Sequence, residues 1–318
     1  MNDAIGGYFS LELPWHEEYH KDAIRLNTGR NCLEYILRSR NYKKVYIPYY
    51  TCEVIFEPFE KTNTAYEYYH VNLFLEIVEN IQLKEGEALL YTNYYGLKQR
   101  YVETLSEKYG HRLIVDNTQA FFAKPMRGCD TFYTCRKFFG VPDGAYLYTD
   151  KKLDIKLERD ISYDRMTFLN KRIDVSAEAA YSDFREESRQ LVNCPIRQMS
   201  TLTLRLMSSI DYEVVSKQRQ RNYKYLHQAL SHTNCISLDI EDSEVPMVYP
   251  YYVANGVNLR NQLIEKKIFI ARYWPNVLEW TTEESIEYQL TLNLLPIPID
   301  QRYGISEMDF IIDTILHG

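Results

Sequence analysis

The chain has 318 residues, more than one typical domain, so we expect two domains that share an interface. Apolar residues make up 45% of the chain and charged residues 25%, an ordinary globular composition that argues against disorder. The formal net charge of −7 and the absence of a long Lys/Arg block argue against nucleic acid or an anionic membrane surface as a partner.

Six cysteines are scattered through the sequence without paired spacing. This argues against a zinc site or a disulfide framework and favours reduced, cytosolic thiols. The N-terminal stretch "MNDAIGGYFSLELPW" lacks the basic and apolar regions of a signal peptide. No stretch approaches about 20 uninterrupted apolar residues. We therefore expect a cytoplasmic protein without a membrane span or a metal site.

Residues 28–150 alternate helix-like and strand-like segments. The first is a predicted helix in "NTGRNCLEYILRSR", where apolar residues recur at helical spacing and Thr28 is a capping candidate. The segments that follow are, in order, the strand KKVYIPYY, the helix EVIFEPFEKTN, the strands AYEYYHVN and EALLYTNYYG, the helix RYVETLSEKYG, and the strands RLIVDNT, DTFYTCR and GAYLYT. Such alternation predicts a mostly parallel sheet with helices on its faces, and ligands bind such sheets beyond the carboxyl ends of the strands.

The second half of the chain begins with a helical pattern and then mixes strands and helices. "STLTLRLMSSIDYEVVSKQRQRNYKYLHQAL" fits either one long helix or two, and "MVYPYYVAN" and "IFIARYW" are predicted strands. "GVNLRNQLIEKK" and "SEMDFIIDTILHG" are predicted helices. We expect an N-terminal segment (1–20), a large cofactor-binding α/β domain (21–215) and a smaller C-terminal α+β domain (216–318).

Polar residues with chemical potential follow two of the predicted strands. Asp116 ends an apolar strand in "IVDNTQAFFA", and Gln119 lies three residues later. Lys137 follows the strand "DTFYTCR" and is surrounded by aromatic residues, where desolvation favours the neutral, nucleophilic amine. Taken alone, Asp116 is better explained as a cap of a loop or helix. Lys137 alone is better explained as a surface lysine whose stem packs on the aromatic rings while its amine reaches solvent.

A Thr-Gly pair opens the first predicted helix. Thr28 and Gly29 offer a hydroxyl, free backbone N–H groups and the positive end of the helix dipole, which together suit a phosphate; a plain N-cap is the simpler alternative. Thr134 could reach the same phosphate. A phosphate cradle, a carboxylate, an amide and a lysine amine are together what pyridoxal 5'-phosphate (PLP) requires.

The order of these motifs resembles the DegT/DnrJ/EryC1/StrS family of PLP-dependent sugar aminotransferases. "NTGRNCL" is similar to the family's Ser-Gly-Thr-x-Ala-Leu helix start, "IVDNTQAFFA" to its Glu-Asp-Ala-Ala-Gln-Ala, and "TCRKFFGVPDGAYLYTD" to its lysine strand and the Gly-Gly-Ala turn that follows. "VYIPYYT", "YTNYYG" and "IRQMSTLTLRL" resemble three further family segments, so that the resemblance covers most of residues 20–230. It implies the PLP-dependent transferase fold type I.

The resemblance also implies roles for individual residues. Lys137 would be the Schiff-base lysine and the base that moves the substrate proton, and Asp116 would pair with the pyridine nitrogen. Gln119 would bond the ring hydroxyl. The phosphate would be held by Thr28, Gly29, Arg30 and Thr134. The family is dimeric with shared sites, and Asn193 is our candidate for the residue that reaches the partner's site.

This chain departs from the family pattern at the ring-stacking position. The simplest alignment places Cys52 where the family has an aromatic residue, so either this thiol packs on the cofactor or Tyr49, Tyr50 or Tyr95 replaces the ring. Arg30 also stands where the family has a small hydroxyl residue. For a donor carboxylate, the sequence offers three candidates without deciding among them: Arg197, Arg272 and Arg302.

The resemblance predicts an aminotransferase that moves an amino group, from glutamate, onto a nucleotide-linked keto sugar for polysaccharide or glycoconjugate biosynthesis. Two alternatives stay open at this point. One is a PLP enzyme of another reaction type, and the other is a catalytically idle homologue that acts as a binding or scaffold subunit. A nucleotide-binding glycosyltransferase would explain the alternating pattern but gives Lys137 and Asp116 no role.

Overall fold

The structure is a computed structural model that describes residues 5–238 and 240–317. Its strands are β1 (Ile24–Leu26), β2 (Lys44–Pro48), β3 (Ala65–Tyr69), β4 (Glu87–Thr92), β5 (Leu113–Asp116), β6 (Asp130–Thr134), β7 (Ala145–Tyr148), β8 (Val248–Tyr252) and β9 (Leu294–Pro298). Its helices are α1 (Gly29–Arg40), α2 (Phe56–Thr62), α3 (Gln99–Tyr109), α4 (Thr167–Asp174), α5 (Ala177–Arg189), α6 (Thr201–Met207), α7 (Tyr212–Leu230), α8 (Gly256–Glu265), α9 (Val277–Trp280), α10 (Ile286–Asn293) and α11 (Ile305–His317).

Seven strands form one central sheet in the order β1-β7-β6-β5-β4-β2-β3. The pairs β2–β3, β2–β4, β4–β5 and β5–β6 are parallel, whereas β7 is antiparallel to both β6 and β1. The predicted mostly parallel α/β sheet is therefore confirmed. Because β4, β5 and β6 run side by side in one direction, their carboxyl ends meet at one edge of the sheet.

Helix α1 forms where its capping residues and apolar face predict it. Thr28 has an extended backbone, and its hydroxyl accepts the N–H of Asn31. The helix ends at Asn41, whose left-handed backbone (φ 53°) directs its N–H to the Leu37 carbonyl oxygen. The face between these ends packs against the sheet, which fixes the start of α1 beside the carboxyl ends of the strands.

The long helical segment after residue 200 divides into two helices, α6 and α7. Asp211 caps α7 by accepting the N–H of Val214, and this cap separates it from α6. The predicted strand "IFIARYW" is wrong, because residues 268–274 form an irregular segment. Ile268 and Ile270 are buried there while Phe269 is 52% exposed, so side chains are alternately buried and exposed as in a strand. Within the described part of the chain, however, no strand pairs with this segment.

Two apolar cores cover the two faces of the sheet. One lies under α1 and α2, and the larger one continues into the C-terminal part, where β8 and β9 form a separate antiparallel pair. The large core joins both parts of the chain, while the domain limits at residues 20 and 215 stay predictions. Across residues 5–238 and 240–317, no helix combines the length and the apolar character needed to cross a membrane.

Candidate active site

A cavity of about 500 Å³ lies at the carboxyl edge of the central sheet. Three neighbouring strands contribute to its wall at the point where each ends, namely β4 with Thr92, β5 with Asp116 and β6 with Thr134. The start of α1 forms the opposite side. This is the position at which open α/β sheets bind ligands, and the volume is in the range of small-molecule sites.

Lys137 lies in the tight turn that follows β6. The N–H of Phe138 donates to the Cys135 carbonyl oxygen at 3.0 Å, which closes the turn around the lysine. The Lys137 side chain is exposed to the cavity, and its Nζ donates to Thr118 Oγ1 at 2.9 Å. The amine is therefore positioned by the protein yet accessible to a ligand in the cavity.

The protein around the cavity also changes the basicity of this amine. Desolvation lowers the pKa of Lys137 from its ordinary value, and the nearby negative charge of Asp116 offsets part of that effect. A lowered pKa raises the fraction of neutral amine near pH 7, and the neutral amine is the form that attacks an aldehyde. The sequence-based expectation of a nucleophilic lysine is therefore consistent with the surroundings of Lys137.

Asp116 is buried at the end of β5. Its Oδ1 accepts the N–H of Thr118 at 2.8 Å, and its Oδ2 accepts the hydroxyl of Thr92 at 3.5 Å. Burial raises the pKa of Asp116, while the positive charge of Lys137 and the hydrogen bonds from Thr118 and Thr92 oppose the rise. The hydrogen bond from the Thr118 N–H agrees with the cap role that the sequence suggests for Asp116. The carboxylate also lines the cavity, where it can accept a further N–H from a ligand.

The N-terminus of α1 presents unpaired donors to the same cavity. The first N–H groups of a helix have no partner inside it, and Thr28 Oγ1 satisfies only that of Asn31, at 3.1 Å. A Cβ on Gly29 would stand 3.4 Å from Thr118 and 3.9 Å from Thr134. The glycine thus lets α1 approach the ends of β5 and β6 closely. Thr28, Gly29 and Thr134 all line the cavity, as the sequence predicts.

Arg30 lines the cavity, but its guanidinium is already bound by the protein. Nη1 pairs with Glu57 Oε2 at 2.8 Å, and Nη2 donates to the Leu191 carbonyl oxygen at 2.7 Å. Lys61 pairs with the same glutamate at 2.8 Å. The guanidinium is therefore committed to the protein, and the backbone N–H of Arg30 is the group it can offer a phosphate. The predicted role of Arg30 in holding the phosphate stays a prediction.

Gln119 lies outside the lining of the cavity. Its Oε1 accepts the N–H of Tyr95 at 3.1 Å, and its buried Nε2 has no acceptor among residues 5–238 and 240–317. The side chain that reaches the cavity from this loop is that of Thr118, which the sequence analysis missed. A bond from Gln119 to a cofactor hydroxyl stays a prediction.

The aromatic residues that line the cavity are Phe132, Phe184 and Trp274, and none of the tyrosines considered from the sequence is among them. Tyr50 is fully buried behind the wall, where its hydroxyl is 3.1 Å from that of Tyr95 and its ring meets Trp274 edge-on at 5.0 Å. Tyr49 stacks on Tyr68 instead. Cys52 does line the cavity, together with Trp274. Trp274 belongs to the misassigned segment after α8, so only the tertiary structure brings it to the site.

Helix α5 closes one side of the cavity with Phe184, Arg185, Ser188 and Arg189. The sequence analysis assigned no role to this helix. Asn193, which follows it, is exposed, has a left-handed backbone (φ 54°) and lies outside the cavity lining. Its predicted contribution to a partner's site therefore stays a prediction.

The three arginines considered for a donor carboxylate lie outside the cavity lining. Arg197 pairs with Asp160 at 3.3 Å, and Arg302 pairs with Asp300 at 2.7 Å. Arg272 has a buried Nε without a partner among the described residues. The arginines that do line the cavity are Arg30, Arg136, Arg185 and Arg189.

Comparisons with known proteins give a consistent picture of the fold. No protein-family model matches the sequence, and a search of curated proteins finds no match. Among solved structures, the aminotransferase TlmJ from Streptoalloteichus hindustanus superimposes with a TM-score of 0.63 at 14% identity, covering 92% of this chain and 84% of that one. A DegT DnrJ EryC1 StrS aminotransferase from Brucella abortus gives 0.61 at 13% identity, with 93% and 88% covered.

A third similar structure is that of NtdA from Bacillus subtilis with bound cofactor PMP, at a TM-score of 0.61 and 12% identity, covering 93% of this chain and 72% of that one. Identities this low establish the fold. The mostly parallel sheet, the smaller C-terminal unit and these superpositions agree with one another. The chain therefore has the fold of the DegT/DnrJ/EryC1/StrS aminotransferases.

Proposed function

We propose that this chain is a PLP-dependent aminotransferase that moves an amino group from an amino acid, glutamate in our proposal, onto a nucleotide-linked keto sugar. The observation that carries the proposal is that one cavity contains the Lys137 amine, the Asp116 carboxylate and the unpaired N–H groups at the start of α1. A binding or scaffold subunit without catalysis would have no need to bring these three together.

PLP fits the residues that line this cavity. The close approach of α1 at Gly29, together with the hydroxyls of Thr28 and Thr134, suits a phosphate. The buried Asp116 can accept an N–H from a pyridine ring, and Cys52 and Trp274 offer apolar surfaces for its faces. When bound, PLP supplies an electron-withdrawing ring that stabilises negative charge at the substrate carbon.

The residues of the chain have distinct tasks in this proposal. Lys137 would hold PLP covalently through its Nζ, with loss of water from the aldehyde. Once the amino group of the donor has displaced it, the freed Nζ would take the proton from the substrate carbon and return one later. Thr118 Oγ1, 2.9 Å from that nitrogen, orients it. Asp116 holds the proton on the ring nitrogen, and its burial keeps water from weakening that contact.

The sugar acceptor and its use in polysaccharide or glycoconjugate biosynthesis come from the similarity to structures described as sugar aminotransferases, such as CalS13 from Micromonospora echinospora. The test is a half-reaction. Purified protein loaded with PLP should lose its visible colour when L-glutamate is added and release one equivalent of 2-oxoglutarate. A nucleotide-linked keto sugar should then restore the colour. Protein that stays colourless with PLP would favour the idle homologue, and coloured protein inert to all amino donors would favour another PLP reaction.

We further propose a homodimer whose second subunit covers the mouth of the cavity. Three apolar residues that line the cavity remain largely exposed in the single chain, namely Val54 at 44%, Phe184 at 42% and Val192 at 50%. Exposed apolar groups clustered at a site mark an interaction surface. Light scattering of the purified protein should give twice the chain mass, and Phe184→Asp should shift it towards the monomer. A monomeric wild-type protein would contradict the proposal.

A further inference from the structure

Arg136 stands between two residues of the proposed site, Thr134 and Lys137, and lines the same cavity. Its Nη2 donates to Ser188 Oγ at 3.0 Å, and its guanidinium lies over the Phe184 ring at 5.8 Å from the centroid. These contacts hold the side chain against α5. They use one of its five N–H donors in a hydrogen bond, which leaves most of its hydrogen-bonding capacity free.

Arg136 forms no ion pair with a carboxylate in the described part of the chain, unlike two other arginines of the cavity wall. Arg30 pairs with Glu57 at 2.8 Å, and Arg189 pairs with Glu186 at 2.6 Å. For Arg136, no carboxylate lies within ion-pair distance in the part of the chain that the structure describes.

Burial is the main cause that lowers the pKa of Arg136 to about 10, and the positive charges of Arg30 and Arg165 contribute further. The negative charges of Asp143 and Glu187 offset part of this lowering. The group is therefore still protonated at neutral pH. A desolvated cation without a counter-ion is costly, and a bound anion would remove that cost.

The position of this cation points to the phosphate end of the site. Thr134 lies beside the start of α1, since a Cβ on Gly29 would stand 3.9 Å from it, and Arg136 follows Thr134 by two residues. The guanidinium of Arg30, which opens the same helix, is occupied by Glu57. The helix start thus offers N–H groups and hydroxyls but no free cation, although a phosphate monoester carries close to two negative charges at neutral pH.

We propose that Arg136, and not Arg30, is the cation that binds the phosphate of the cofactor; this inference rests on the proposed function. A planar guanidinium can bind two phosphate oxygens at once, which a lysine ammonium cannot. Arg136 thereby links the phosphate to Lys137, the adjacent residue. The hydrogen bond to Ser188 and the contact with the Phe184 ring hold the guanidinium of Arg136 at the cavity wall.

The test compares PLP with pyridoxal, which has the same ring and aldehyde but no phosphate. Equilibrium dialysis of the purified apoprotein gives the Kd of each compound for wild type, Arg136→Gln and Arg136→Lys. Arg172→Gln is the matched control, because it removes the same charge from an exposed arginine outside the cavity lining. Melting temperatures of all variants report whether each one folds.

Arg136→Gln should weaken PLP binding about tenfold to a hundredfold, the scale of a charged hydrogen bond, and change pyridoxal binding less than about twofold. The PLP affinity of Arg136→Lys should lie between those of wild type and Arg136→Gln, and Arg172→Gln should match wild type. If Arg136→Gln does not fold, Arg136→Lys takes its place in the test. A loss of affinity for PLP but not for pyridoxal in that variant would support the inference. Equal losses for both compounds, or no loss for PLP, would overturn the inference.

Two outcomes separate this inference from the proposed function. If Arg136→Gln binds PLP normally but raises the KM for a carboxylate or phosphate substrate, Arg136 binds the substrate's anion, and only this inference is wrong. If wild type binds neither PLP nor pyridoxal, the proposed function fails and the role of Arg136 fails with it.

Discussion

Replacing Lys137 with alanine should abolish transamination while leaving the fold intact. The side chain is exposed to the cavity and makes one hydrogen bond, to Thr118, so its loss removes little packing. Its amine, however, is both the proposed attachment point and the proposed proton carrier. Loss of a general base alone costs about 10²–10⁴-fold in rate, and loss of the attachment adds to this. The measurement is the rate of 2-oxoglutarate formation from glutamate in single-turnover experiments.

A matched control for this variant is Lys151→Ala, which removes an exposed lysine outside the cavity. It should retain wild-type turnover and wild-type colour with PLP. The melting temperature of Lys137→Ala should stay close to that of wild type, because burial lowers the pKa of Lys137 and removing the amine relieves that desolvation. Turnover retained in Lys137→Ala would mean that another lysine performs the chemistry.

Replacing Asp116 with asparagine should reduce turnover by about a hundredfold or more, the scale of losing one buried electrostatic contact in an active site. Asparagine has the same shape, and its Oδ1 can still accept the N–H of Thr118, so the turn is preserved. What it lacks is the negative charge that would keep the ring nitrogen protonated. The substitution therefore separates the role of Asp116 as a cap from its role as a charge. Single-turnover rates measure the effect.

The melting temperature of Asp116→Asn provides an internal control, because the direction of its change follows from the raised pKa of Asp116. Burial raises the pKa of Asp116 in the folded protein, so the ionised carboxylate disfavours the folded apoprotein at neutral pH. That cost is absent at a pH below the ordinary pKa of an aspartate, grows as the pH rises from there to the raised value, and is constant above it. Asp116→Asn should therefore melt at or above the wild-type temperature at pH 7. Normal turnover in Asp116→Asn would contradict the proposed role of its negative charge and would show that Asp116 serves only as a turn cap.

The sequence predicts well those features that depend on interactions between residues close together in the chain. Thr28 caps α1 because a hydroxyl at a helix start satisfies a free N–H, and this signal is readable within four residues. Asp116 and Lys137 follow strands that are recognisable from their apolar runs, and neighbouring parallel strands bring their ends together. Position at a strand end was therefore sufficient to bring these two residues into one cavity.

Features that depend on long-range packing were missed or misassigned. The segment with Ile268 and Ile270 alternates in burial like a strand, yet alternation does not reveal whether a partner strand exists. Trp274 lines the cavity through a long-range contact, in which its ring meets that of Tyr50 at 5.0 Å. Arg30 was assigned to the phosphate from the resemblance of the helix start to a family motif, which does not show that its guanidinium pairs with Glu57, 27 residues away. An arginine in sequence does not show which carboxylate it will meet.

The central claim is that the Lys137 amine binds PLP covalently, and reduction with sodium borohydride followed by peptide mass spectrometry tests it most directly. The reduction makes the bond between the cofactor and a lysine permanent, so the modified residue can be identified in a digest. If this claim is right, the peptide containing Lys137 carries the cofactor mass in wild type, and Lys137→Ala carries none. Modification of a different lysine, or protein that gains no mass after saturation with PLP and reduction, would contradict it.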